Sequence, residues 1–125
     1  MLLGDMNGWV GGGRPINDRV VGKWGDSGLN ENGECLIEMC GRRGMFVANT
    51  WFEHRLFHRY TYHSEDGRHK SVIDYVCVDR RLRSAVKDAR VYTGAGVDTD
   101  HRMVVCSIIV NGKWKWKARP RGVER

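Results

Sequence analysis

Met1-Leu2-Leu3-Gly4-Asp5-Met6-Asn7 is the stretch that sets the reading of this chain. It reads as a short, buried, apolar strand that ends in an acid and an amide, with irregular backbone from Gly8. Residues two apart in a strand point to the same side, so Asp5 and Asn7 are expected to face one way together. A carboxylate beside an amide at a strand end suits a metal ion, a water or a phosphate. A strand this buried normally has structure before it, yet the chain begins here. The remaining sequence fits if it folds back to bring Asp74, Asp100 and His101 to the same spot.

Working outward, residues 8–33 are punctuated by glycines, with Pro15 among them, and read as a long loop anchored by Val20, Val21 and Trp24. The Gly11-Gly12-Gly13 run lacks the lysine ending of a P-loop, so it reads as turn formers. A helix is expected next. Asn32 is its N-cap, Cys35, Leu36, Met39 and Cys40 form its apolar stripe, Glu34 and Arg42–Arg43 complement its dipole, and Gly44 ends it. Strands are expected over residues 45–52, 60–64 and 71–78, with a turn at Glu65-Asp66-Gly67-Arg68. The 71–78 strand is apolar on both faces and should be covered on both sides, with Asp74 as its one carboxylate. Such a group must be paired or hydrogen-bonded. A short helix or turn carries Arg80, Arg81 and Arg83. A strand over 86–92, a loop over 93–101 and a last doubly apolar strand over 103–110 follow. Residues 1–111 read as one domain and 112–125 as a basic tail or linker.

The 125 residues are enough for one modest domain. Hydrophobic and charged fractions of 41% and 29% are those of a globular chain and exclude wholesale disorder. The net charge of +6 favours a polyanionic partner, nucleic acid first. Cys35, Cys40, Cys77 and Cys106 form no close pair and sit among apolar residues. They read as buried reduced thiols, which points to an intracellular location, nuclear or cytoplasmic. His54, His58 and His63 are unaccompanied by a cysteine pair, which disfavours zinc. No stretch has the length of a membrane span or the pattern of a secretory signal.

Asp5 with Asn7, Asp74, Asp100-His101 and the Thr61/Ser64 strand end all fall at strand ends or in adjoining loops, where sheet folds collect sites. A histidine against a buried carboxylate is held in one tautomer, and its cationic form is stabilised. Read one at a time, Asp74 could equally cap a turn and His101 could be a surface histidine.

Taken in order, GDMN, NTWF, YTYHSEDG, IDYV and TDH resemble the C-terminal half of the endonuclease/exonuclease/phosphatase superfamily, the DNase I-like fold. The chain is most similar to the apurinic-type endonucleases of non-LTR retrotransposons and the craniofacial development protein 2-like sequences related to them. The resemblance spans residues 2–110. It implies an α/β fold, namely half of a DNase I-like β-sandwich with flanking helices, and a Mg2+-dependent endonuclease acting on DNA. It implies that Asp5 activates water, that Asn7 positions water and phosphate, and that Asp74 orients His101. His101 would act on the phosphoryl oxygen, and Asp100, with Asp5, would lie at the metal. Met6 and Thr99 stand where other residues are frequent, without changing the chemistry. The family's N-terminal half, which carries the principal glutamate ligand and the second sheet, has no counterpart here. A truncated retroelement-derived product is therefore expected. It would hold Mg2+ weakly, be weakly active or inactive alone, and leave a bare sheet face for a second chain or the missing half. The alternatives are a non-catalytic nucleic-acid-binding or assembly remnant, using Arg80, Arg81, Arg83 and the tail, and a phosphatase of small phosphoesters.

Overall fold

In a computed structural model, residues 1–12, 19–26, 28–55, 58–92 and 100–110 are described. Residues 93–99 of the expected 93–101 loop, Thr99 among them, the 112–125 tail, and Gly13 and Pro15 of the glycine-rich loop lie outside them. The fold mixes helix and antiparallel sheet. Its elements are β1 (Leu2–Asp5), α1 (Glu31–Arg43), β2 (Met45–Val47), β3 (Tyr62–His63), β4 (Lys70–Ser71), β5 (Asp74–Asp79), β6 (Val86–Tyr92) and β7 (Met103–Ile108). Among the described residues, no helix is long and apolar enough to cross a membrane.

β5 is the axis. It lies between β1 and β2 in a three-stranded antiparallel sheet, with Leu2 opposite Cys77, Asp5 opposite Asp74 and Met45 opposite Asp79. Its Tyr75, Val76, Cys77 and Val78 are all buried, as a strand covered on both faces requires. Strand alternation splits them between two clusters. Tyr75 and Cys77 join Val21, Val47 and the α1 residues Leu36 and Cys40. Val76 and Val78 join Phe46 and the β6 residues Val86 and Ala89. The helix thus covers one face of the sheet and β6 the other.

α1 is capped at both ends. The side chain of Asn30, not Asn32, accepts from the Gly33 amide at 2.9 Å and also from the Trp9 amide at 2.9 Å. Asn32 instead donates its side-chain amide to the Asn7 carbonyl, tying the helix start to the end of β1. Gly44 ends the helix at φ 65, a left-handed conformation that glycine adopts without a Cβ penalty. Gly33 is set by contact: a Cβ there would stand 1.7 Å from the Trp9 carbonyl oxygen.

Several expectations are corrected. β1 is an exposed edge strand, with Leu3 57% accessible. Apolar composition cannot distinguish an edge from a buried strand. β7 pairs with β6 but is largely exposed, presenting Met103, Val105 and Ile108 to solvent. The strand expected over 45–52 stops at Val47, and a 3₁₀ turn, Ala48–Trp51, follows. Its cause is local: Thr50 donates its hydroxyl to the Val47 carbonyl and accepts from the Gly22 amide. The 71–78 strand divides into β4 and β5, with Val72 and Ile73 between them. Cys40 and Cys77 are buried, but Cys35 is exposed and off the packed face of α1. The turn forms one residue earlier than expected: the Gly67 amide donates to the Ser64 carbonyl, so Glu65 and Asp66 stand at its centre, and Gly67 follows at φ 71 as the β3–β4 ladder closes.

Candidate active site

The register between β1 and β5 places Asp5 directly opposite Asp74, at the same end of the sheet. The Met6 amide extends this pairing by one bond, to the Ile73 carbonyl at 2.8 Å. The chain then turns. Asn7 adopts φ 46, and its amide donates to the Asp5 carboxylate at 2.8 Å. Asp5 and Asn7 therefore share one locality through a left-handed turn, not through strand alternation.

His101 arrives from the other side. Residues 100–102 run antiparallel to 61–63: the His63 amide donates to the Asp100 carbonyl, and the Arg102 amide to the Thr61 carbonyl. The Thr61 hydroxyl, fully buried, accepts from the Ile73 amide at 3.0 Å and the Asp74 amide at 3.1 Å. One residue thus ties the segment carrying His101 to the segment carrying Asp74. Asn49 fixes Asp74 from the remaining side. Its side-chain amide donates to the Asp74 carbonyl, and its oxygen accepts from the Val76 amide, replacing the ladder bonds of a longer β2.

The result is a histidine among three carboxylates. His101 Nδ1 lies 2.9 Å from Asp74 Oδ2, while Nε2 lies 3.8 Å from Asp5 Oδ2 and 3.9 Å from Asp100 Oδ1. The hydrogen bond to Asp74, aided by the charges of Asp5 and Asp100, raises the imidazole above the usual histidine range against the opposing effect of burial. The Tyr62 ring meets the imidazole edge-on, with centroids 5.6 Å apart. Asp5, Asn7 and His101 open onto a cavity of about 540 Å³, completed by Trp9, Tyr62, Ser71 and Ile73. A cationic imidazole with Nδ1 bound to a carboxylate can present Nε2–H to an anion in that cavity.

Five of the residues singled out in the sequence, Asp5, Asn7, Asp74, Asp100 and His101, thus meet at one end of the sheet, and Thr61 ties their segments together. Ser64 does not join them; it belongs to the 64–67 turn, bonding Asp66 and the His69 amide. Asn49, Trp9 and Tyr62 were not singled out as site residues. Trp9 follows Asn7 by two and Tyr62 sits in the YTYHS run, which were the available signals. A second pair, His54 Nε2 to Asp88 Oδ1 at 2.6 Å, lies elsewhere.

Over 104 residues, 83% of its length, the chain is 35% identical to Craniofacial development protein 2 of Bos taurus, and of that protein it spans 17%. Identity to the Tragulus javanicus Craniofacial development protein 2 is also 35% over 104 residues, and the chain spans 18% of it. No family model matches the chain. No solved structure matches it either.

Proposed function

We propose that this chain carries the histidine–carboxylate part of a Mg2+-dependent endonuclease centre that hydrolyses phosphodiesters in DNA, on half of a DNase I-like sandwich. The carrying observation is the bracketing of His101, with Nδ1 on Asp74 and Nε2 turned toward Asp5 and Asp100 above an open cavity. The ordered run of motifs and the basic balance of the chain support the choice of DNA.

The donors fit a hard divalent cation. Asp5 and Asp100 offer carboxylate oxygens and are each about half exposed, which leaves room for water and phosphate. Asp5, Asp74 and His101 can each bring a ligand atom within 4.8 Å of the others. In this reading Asp5 and Asp100 would hold Mg2+, and the ion would supply Lewis-acid polarisation of the phosphate. Asn7 orients a water, and the Asp5 carboxylate receives its proton. The water oxygen bonds to phosphorus, the bond to the leaving ester oxygen breaks, and that oxygen takes up a proton from solvent, which the half-exposed site admits. His101, kept cationic by Asp74, donates from Nε2 to a phosphoryl oxygen as charge builds there. Two carboxylates hold Mg2+ loosely, so the chain alone is a weak enzyme. The apolar side chains of β1 and β7 would pack against further protein, either a second chain or an N-terminal half. Such a protein would work in the nucleus or cytoplasm.

Two measurements test this. Mn2+ added as a paramagnetic probe should broaden the resonances of Asp5, Asn7, Asp100 and His101 before any others. Plasmid DNA should be nicked slowly with Mg2+, not with chelator, and not by Asp5→Ala. Broadening elsewhere, or nicking indifferent to Asp5, sinks the proposal.

A second reading, an assembly module without catalysis, is favoured by the exposed Met103, Val105 and Ile108 of β7. Concentration-dependent self-association with no Mg2+-dependent nicking at any concentration would select it.

A further inference from the structure

At the opposite end of β5, five residue steps from Asp74 and so about 17 Å away, lies a different cluster. A cavity of about 250 Å³ is lined by Arg19, Phe46, Trp51, Arg80 and Arg83. Among the described residues, three of its five lining residues are cations and none is acidic. The neighbouring acid, Asp79, is taken by Arg81, which binds it through Nε at 3.1 Å and Nη2 at 2.9 Å.

The two inner arginines are held differently from that exposed pair. The Arg83 guanidinium sits 5.7, 5.5 and 5.0 Å from the ring centroids of Phe46, Trp51 and Phe52. Stacking uses the guanidinium face and leaves its in-plane N–H groups for other partners. One of them donates to the Val86 carbonyl at 3.4 Å. Arg80 adds a third guanidinium to the wall; its Nε is buried and makes no hydrogen bond among the described residues, so its charge acts on the cavity through its other groups. Aromatic walls lower the local dielectric and strengthen any charge pairing formed there.

We propose that the Arg19–Arg80–Arg83 cavity binds a phosphate group. Phosphate supplies several acceptor oxygens on one centre, which suits guanidinium forks arriving from different elements. The cavity is smaller than pockets for drug-sized ligands, about 300–1,000 Å³. It accommodates one phosphate with part of the group that carries it. The phosphate is borne either by a small phosphoester or by a nucleic-acid backbone. The inference does not depend on the endonuclease reading.

The test is a titration of the whole chain followed by NMR of the Arg80 and Arg83 Nε–H and Trp51 Nε1–H signals. Inorganic phosphate, adenosine monophosphate and a ten-residue single-stranded oligothymidylate are added in separate arms. The expected result is saturable movement of the arginine signals, with Arg80→Gln weakening binding about tenfold. Response to the monophosphate assigns a small phosphoester, and response to the oligonucleotide alone assigns the polymer. Arg83→Lys, which keeps the charge and loses the fork, should also bind more weakly. It serves as the second variant if Arg80→Gln does not fold. The proposal is overturned if none of the three ligands moves the arginine signals, if only His101 responds, or if folded variants bind as tightly as the parent.

Discussion

His101 and His54 each lie against an aspartate, at 2.9 Å and 2.6 Å, but they occupy opposite circumstances. His54 and Asp88 link the segment after the 3₁₀ turn to β6, and His54 borders a small cavity of about 20 Å³, room for about one water. Its carbonyl accepts from Arg59 Nε, so the residue is bound at both ends. His101 turns its other ring nitrogen toward two further carboxylates and borders a cavity of about 540 Å³. A histidine–carboxylate pair is therefore a brace or a reactive group according to what the other ring nitrogen faces. The shorter pair is here the structural one.

The largest difference between the two should be in rate. His101→Ala should lower Mg2+-dependent nicking of plasmid DNA about 100-fold or more, as loss of a group acting only in the transition state does. His54→Ala should leave the rate of the folded protein within about twofold. Equal losses in both variants would erase the distinction.

The next effect concerns what holds the site together. Thr61→Val keeps the shape but strips the acceptor from two buried amides, those of Ile73 and Asp74. A loss of about 2–3 kcal/mol in urea unfolding is expected. Loss of the His54–Asp88 brace in Asp88→Ala should cost less, about 1–2 kcal/mol by the same measurement.

Charge linkage gives the smaller effects. The folded protein raises His101, so the stabilising contribution of its pairing is full below the pKa of an unfolded histidine. It fades as pH rises through the higher folded value. Asp74→Asn should flatten that part of the stability–pH curve. The smallest effect belongs to Asp79, held down to about 2 by hydrogen bonding to Arg81. Its contribution is present above the unfolded carboxylate range and lost as pH falls through about 2. Arg81→Ala should make acid unfolding begin at a slightly higher pH.

Much of this was legible in the residues themselves. The doubly apolar 75–78 run announced a central strand, Asp66-Gly67 announced the turn, and Gly44 announced the helix end. Asp74 stood out because a carboxylate in such a strand needs a partner. Other features depended on competition that a single sequence does not rank. Asn30 and Asn32 are both good caps, and the choice fell to Asn30 because Asn32 was needed at the Asn7 carbonyl. The 45–52 strand looked continuous because side-chain bonds from Asn49 and Thr50, which replace the ladder, are invisible in hydrophobic pattern. Edge position was equally hidden, since Leu2 and Leu3 read as core wherever they lie.

The account turns on His101 being held by Asp74 with its other nitrogen facing Asp5 and Asp100. NMR titration of the imidazole in metal-free protein tests this most directly. The account predicts a pKa above the ordinary histidine value of 6.5, with Nδ1–H bonded, and a fall toward that value in Asp74→Asn. An imidazole that titrates at or below 6.5 and ignores the loss of the Asp74 charge would contradict it.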